Sequence, residues 1–487
     1  MRKTRLYTSL IICWLTLSLS AMPRLTVVAV VDGLTTDNLN MLRPYWQQGG
    51  LRTLSEEAYQ TSIAFPHLVY GGNETTATLM TGTTPSEHGY TMDSYFLRRD
   101  RKLHAMLEDQ QAKGIGTLLR LSPRALLSRT MSDRMRLLYP AAKIYAIGIH
   151  PETTVLLAGH AANACCWMDD YLQQWVATAA YSEGLHSTAY EQNKSGRIAE
   201  LASHQWTPRM DIPMYNHPTP QERKKGFSYS VEKVLRRSPE ANTLVIELAL
   251  AIQKAEKLGT DMTPDMLLLQ LNSLSPLTES DQILSAEHED LYLRLNQDIG
   301  YLMEQLDRRI GRENYQLLVV GRPILGTDKQ TLQDIHLPVQ PFSVDRAAAL
   351  TGTYLMAIYG HERWVDGGYG QSIYLNRTLI EQKRLPLETL QRQVANFLLD
   401  FEGVQMAMPG HEALLQPQLA NSLCKRHTGD VVFTLQPGWQ LMQNEQNAID
   451  MVVDEQPTAP LLLWSGQLRP MPQGRLTALD VADLIFQ

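Results

Sequence analysis

One stretch near the start of the chain, Leu25-Thr-Val-Val-Ala-Val-Val-Asp32-Gly33, limits the possible folds more than any other. A run of β-formers without polar alternation cannot lie half-exposed on a surface. It predicts a strand buried on both faces, as in a parallel sheet covered by helices. The run ends on a lone carboxylate. That places Asp32 at the carboxyl edge of the sheet, where open α/β folds put their ligands. A second stretch, from Phe65-Pro66 through Thr81-Gly-Thr-Thr-Pro-Ser-Glu-His-Gly89, is expected to meet Asp32 at that edge.

The rest of the chain supports an α/β reading. Thr35 to Ser55 is predicted as helix broken at Gly49-Gly50, and Thr75 to Met80 as the start of another, entered from Gly71-Gly72. From Arg98 to Leu138 the chain is basic and is predicted helical, with a break at Gly114 and Gly116. Its arginines suggest either phosphate binding or, more simply, a solvated helical face. Lys143–Ile149 and Thr153–Ala158 are predicted as strands. Cys165 to Trp206, rich in Trp and Tyr, reads as a cap packed over the sheet, and Pro208 to Gly226 as a loop. Asn242–Lys257 and Glu287–Ile310 are predicted helices. Met266–Leu271 and Tyr315–Val320 are predicted strands, so strand, helix and strand form a parallel unit. Asp430–Leu435 and Pro460–Trp464 supply further strands. The cap regions are expected at roughly 97–140 and 165–230.

The formal net charge of −7 argues against a nucleic-acid partner. Met1-Arg-Lys-Thr-Arg5 followed by apolar Leu10–Leu17 and small Ser18, Ser20 and Ala21 reads as a signal peptide over 1–21. It leaves 22–487 as a periplasmic or secreted domain with no transmembrane segment. Of four cysteines, Cys13 falls in that leader. Cys165, Cys166 and Cys424 make no disulfide framework, although a bridge from Cys424 to one of the others is open in an oxidising compartment.

The block Thr81–Gly89 resembles the alkaline phosphatase superfamily, in particular its periplasmic, phosphate-irrepressible monomeric alkaline phosphatases and their type I phosphodiesterase/nucleotide pyrophosphatase relatives. Asp32-Gly33, Ala158-Gly-His-Ala-Ala-Asn163, Trp206-Thr-Pro208, Asn242–Ala249, Tyr292-Leu-Arg-Leu-Asn296, Tyr354–Tyr359 and Gly429-Asp430 with Pro437-Gly-Trp439 look like the same family's landmarks, in its order. The resemblance implies an α/β, alkaline-phosphatase-like three-layer sandwich with a largely parallel central sheet and an inserted cap. It also implies two-zinc phosphoryl transfer, with a threonine or serine nucleophile at a helix start and metals clamping the attacking and leaving oxygens.

Position by position, the implied chemistry is missing. The family's nucleophile lies nine places before Thr81, which is Gly72 here. The zinc-binding aspartate and histidine after the central strand fall on Ser275 and Glu279. The Asp-His pair after the next strand falls on Arg322 and Pro323, and no histidine follows His427. The phosphate-contacting Lys and Arg read His150 and Glu152, and a nearby asparagine reads Asp93. Asp32 alone survives as a metal ligand, and one carboxylate cannot hold a zinc pair. Arg322 puts fixed positive charge where a cation should sit, and it could pair with Asp32 as a structural ion bridge.

These residues predict no cofactor and a catalytically degenerate phosphatase fold kept as a binding or assembly module for an envelope protein partner. Two alternatives remain at this level. One is a working phosphomonoesterase or phosphodiesterase with relocated ligands, for which His67, His88 and His160 would be the spare donors, although His88 is better placed to brace the turn at Pro85–Gly89. The other is a non-hydrolytic binder of a phosphorylated ligand, using Asn73, Thr75, Thr76 and Arg322.

Overall fold

A computed structural model describes residues 22–70, 72–276, 284–323, 340–436, 438–444, 447–448, 457–467 and 474–486. Its centre is the strand β1, Leu25–Asp32, every residue of which is buried. Alternate side chains feed two separate cores. Leu25, Val27, Ala29 and Val31 join one apolar cluster, and Val28 and Val30 join the other. A strand apolar on both faces needs cover on both, and each fully buried Val or Leu contributes roughly 1.5–3 kcal/mol.

The sheet has nine strands. The others are β2 (Tyr59–Ala64), β3 (Gly114–Ile115), β4 (Ile144–Gly148), β5 (Ala164–Asp169), β6 (Gln174–Thr178), β7 (Asp265–Asn272), β8 (Tyr315–Arg322) and β9 (Thr458–Ser465). Their order is β2-β9-β8-β1-β7-β4-β5-β6-β3. The middle run β8-β1-β7-β4-β5 is parallel throughout, and antiparallel pairings begin at β9 on one side and β6 on the other. The helices α1 (Asn73–Thr81) and α2 (Pro151–Ala158) pack on the face of Val28 and Val30. The helices α3 (Pro239–Glu256) and α4 (Ala286–Ile310) pack on the other. This is a three-layer sandwich. A second, four-stranded sheet, in the order Val365–Tyr369, Ser372–Leu375, Val431–Leu435, Val404–Pro409, has its own core with the helices Val344–Tyr359 and Leu387–Leu399.

Four local expectations fail, each for a physical reason. Thr153–Ala158 is helix, not strand. Its β-branched Thr-Thr-Val run misleads, but Pro151 at the first helical position and Glu152 in the first turn are helix-start chemistry. The crossover from β4 to its parallel neighbour β5 is made by this helix. Arg98–Leu138 has only a short 3-10 turn, Pro123–Ala125, before its α-helix starts at Met131. It begins as a hairpin, Ser94–Leu97 against Lys102–Ala105, whose tip is the arginine cluster. Cys165–Thr178 belongs to the central sheet itself as β5 and β6, so Trp167 and Trp175 are core residues. The expected loop at Pro208–Gly226 holds a helix at Pro220–Lys225. Its Glu222 carboxylate accepts the free amides of Ala286 and Glu287 at the start of α4. The three cysteines are buried and free.

Candidate functional site at the sheet edge

The parallel register sets Asp32 level with Asn272 on β7 and Arg322 on β8. Asp32 is 1% exposed and Arg322 4%. Arg322 Nε lies 2.7 Å from Asp32 Oδ1. The other carboxylate oxygen accepts from Gln270 Nε2 at 2.7 Å. Gln270 in turn accepts, through Oε1, the backbone amides of Ile149 and His150 ahead of α2. Both oxygens of the carboxylate are therefore occupied by protein donors, and the amide of Gln270 is fixed in orientation by what it accepts.

The far end of Arg322 completes a closed network. Its Nη1 donates to Asn73 Oδ1 at 2.9 Å and to Thr153 Oγ1 at 3.3 Å. The Thr153 hydroxyl donates to the same Asn73 oxygen, and Asn73 Nδ2 donates to Asp93, which also accepts from the Tyr90 hydroxyl. Gly72, the N-cap of α1, has φ +95°. A side chain built there would start 3.3 Å from the Pro323 carbonyl and 3.5 Å from Arg322 Nη1. Glycine suits the position because its backbone is left-handed and the guanidinium fills the space in front.

The structure brings Asp32, Gly72, Asn73, Arg322 and Pro323 together. Thr75 spends its hydroxyl on the Gly72 carbonyl, and the buried Thr76 hydroxyl has no hydrogen-bond partner among the described residues. Ser275 is buried just beyond β7, and Glu279 lies outside the described residues. Beside this cluster the Glu74 carboxylate is fully buried, accepting from the amides of Tyr70 and Gly72 while Oε2 has no partner among the described residues. Burial, with Asp93 adding to it, pushes its pKa up to about 7. Burial lowers His150 to about 4 and raises Glu152.

His67, ahead of α1, and His88, in the turn after it, are both tied to Thr78 of α1. The amide of Tyr90 donates to His88 Nδ1, so His88 Nε2 carries the proton and donates to Thr78 Oγ1. Thr78 passes its own proton to His67 Nε2, whose Nδ1 donates to the Leu68 carbonyl. Burial holds both rings neutral, at about 3 for His88 and about 4 for His67. His160 lies elsewhere, paired with Asp133 at 2.8 Å.

Sequence reasoning missed Gln270, Thr153 and Glu74. Gln270 had a signal, as the one polar residue inside the apolar run Met266–Leu271. Thr153 was hidden by its strand-like neighbours, and the orphan oxygen of Glu74 is visible only in three dimensions.

The family model for type I phosphodiesterase / nucleotide pyrophosphatase matches residues 26–459. The chain belongs to that family. It is 23% identical over 398 residues to alkaline phosphatase PafA of Elizabethkingia meningoseptica, covering 76% of this chain and 72% of the relative. It is also 23% identical over 452 residues to a protein of Myroides odoratus named calcium-transporting ATPase, covering 86% and 82%. The crystal structure of wild-type PafA matches with a TM-score of 0.82 over 94% of each chain at 20% identity, which establishes the alkaline-phosphatase-like fold.

Among the described residues, the donors at this family member's sheet edge do not fit a zinc pair. Asp32 has both oxygens engaged, and the next strand offers a guanidinium rather than a ligand. A zinc ion closes with about four donors. Among the described residues, the His, Cys, Asp and Glu group close enough to share a metal is Glu388, His411 and Glu412, which includes no residue of this edge. Its carboxylates are bridged by Arg392 at 3.0 and 2.6 Å.

Proposed function

We propose that this chain is a non-hydrolysing member of the phosphodiesterase family, in which the Arg322 guanidinium stands in for the metal cations at the sheet edge. The observation that carries the reading is the buried 2.7 Å pair of Arg322 with Asp32. A fixed cation neutralises the surviving carboxylate and links it, through Asn73 and Thr153, to the start of α1. Gly72 at the nucleophile position supplies no attacking atom. Losing one member of a catalytic unit removes about 10⁴–10⁶ of the rate, and here nucleophile and ligands are replaced together. No cofactor is part of this reading. The leader-like sequence over 1–21 supports an envelope location, periplasmic or secreted, where a fold that no longer turns over substrate serves as a binding or assembly module for a protein partner. Among the described residues no helix is long and apolar enough to cross a membrane.

Binding of a phosphorylated ligand by Asn73, Thr75, Thr76 and Arg322 is the weaker reading, because Arg322 and Asn73 are engaged with each other and Thr75 with the Gly72 carbonyl, which leaves the buried Thr76 hydroxyl as the one of these without a partner among the described residues. Hydrolysis with relocated ligands is the reading that the relatives' names favour. Elemental analysis of purified protein decides between it and ours, together with phosphomonoester and phosphodiester hydrolysis in added Zn²⁺. The expected result is less than one zinc per chain and no turnover above buffer. Two retained zincs with turnover would overturn the proposal.

A further inference from the structure

The tip of the hairpin that the sequence disguised as helix builds a second, independent feature. Arg98, Arg99 and Arg101 turn toward Arg377, which follows the strand Ser372–Leu375, and together they line a cavity of about 430 Å³. That volume lies within the range of small-ligand sites. Three carboxylates answer these four guanidiniums. Asp430, fully buried, takes Arg98 Nη1 at 2.6 Å and Arg377 Nε at 2.7 Å. Asp366 takes Arg101 at 2.7 Å, and Asp100 is engaged by His104 at 2.7 Å.

The positive charge is in excess, on a chain whose net charge is −7. Arg99 is exposed and has no ion-pair partner among the described residues. Arg98 lies over the Tyr374 ring, its Cζ 4.9 Å from the centre, and its Nη2 is buried without a hydrogen bond among the described residues. A buried guanidinium N–H left unpaired costs more than a surface one, and Arg98, which lines the cavity, carries that unspent donor. The turn is also held in an unfavourable shape, since Arg101 has φ +57°. A non-glycine residue in that conformation is strained and persists where its surroundings enforce it.

We infer that this arginine basin binds a tetrahedral oxyanion of charge −2, free phosphate or sulfate or the end group of a phosphomonoester. Planar guanidiniums in a cluster match such oxygens in pairs. The basin is separate from the sheet edge. It shares no residue with the Asp32–Arg322 network, and it does not depend on whether that network is catalytic.

The test is isothermal titration of the full chain with inorganic phosphate, sulfate and phenyl phosphate at constant ionic strength. Wild type is compared with Arg99→Ala, Arg377→Gln and the double variant Asp32→Asn/Arg322→Gln, with melting curves confirming that each is folded. Saturable binding of one anion per chain is expected, weakened tenfold or more by Arg99→Ala and by Arg377→Gln and unchanged in the double variant. Tighter binding of phenyl phosphate than of phosphate would identify an ester as the ligand, and equal binding the free anion. Three results would overturn the assignment. They are no saturable binding, full affinity in both arginine variants, or loss of binding confined to the sheet-edge double variant.

Discussion

Asp32 and Asp430 are both almost wholly buried, both lie at a strand end, and both hold arginine, yet the two sites do opposite things with the charge. At Asp32 one guanidinium meets one carboxylate, and the remaining hydrogen-bonding groups go to Gln270, Asn73 and Thr153. Both partners are shut off from water. At Asp430 two arginines share one carboxylate, which also accepts the Leu375 amide, and their side chains are 30% and 54% exposed. One arrangement is closed and neutral; the other is open and in cationic excess. The lesson is that an arginine beside an aspartate signals a site only when the pair leaves valence over.

The sharpest way to break this contrast is to remove one cation from each site. Arg322→Ala leaves Asp32 buried and unpaired, and should lower the unfolding free energy by about 3–5 kcal/mol. Asp32→Asn/Arg322→Gln should recover most of that loss in the same urea titration, because no buried charge remains. Full stability in the single variant would mean that the edge is open to solvent.

The second effect comes from Glu74, which the Arg322 network leaves without a cation of its own. Its folded pKa of about 7 lies above its ordinary 4.5. The unfolded chain therefore loses this proton first, and stability falls as pH rises from about 4.5 to 7. The full cost, roughly 3 kcal/mol, applies above that window. Glu74→Gln should flatten this part of the pH–stability curve, and an unchanged curve would show that the carboxyl is solvated.

Third, Gly72→Thr restores the family's nucleophile type on a backbone at φ +95° and against the Pro323 carbonyl. It should cost roughly 1–3 kcal/mol and yield no phosphomonoesterase activity with added Zn²⁺. Turnover in this variant would show that the edge still assembles metal.

The smallest expected effect is at the open site. Arg377→Ala leaves Asp430 with Arg98 and the Leu375 amide, so stability should move by about 1 kcal/mol or less. A loss as large as that of Arg322→Ala would erase the distinction between the two aspartates.

Much of this was legible in the sequence, because the strands that build the edge are uniformly apolar and Asp32 and Arg322 sit at their ends. The three-layer sandwich follows from a β1 that buries every residue. Less visible were features set by the opposite end of an interaction. Thr153 looks like a strand residue until Pro151 is weighed as a helix start. The arginines of 98–101 carry no helical period, and only their pairing with Asp430 and Asp366, hundreds of residues later, shows them to be a hairpin tip. Trp167 and Trp175 suggest a cap by composition, whereas the hydrogen-bond ladder makes them part of the sheet.

The interlocked edge also bears on how such a chain can change over time. Replacing Arg322 by aspartate alone would set two carboxylates side by side with no cation between them. Replacing Gly72 alone would start a side chain 3.5 Å from a guanidinium already bonded to Asp32, Asn73 and Thr153. On the proposed reading, each single substitution toward a metal centre is expected to give a less stable protein, so such a centre would be built only by several simultaneous changes. A selection experiment that seeks phosphatase activity from this scaffold should therefore succeed from combinatorial libraries at 72, 275 and 322–323, and stall when the same positions are varied one at a time.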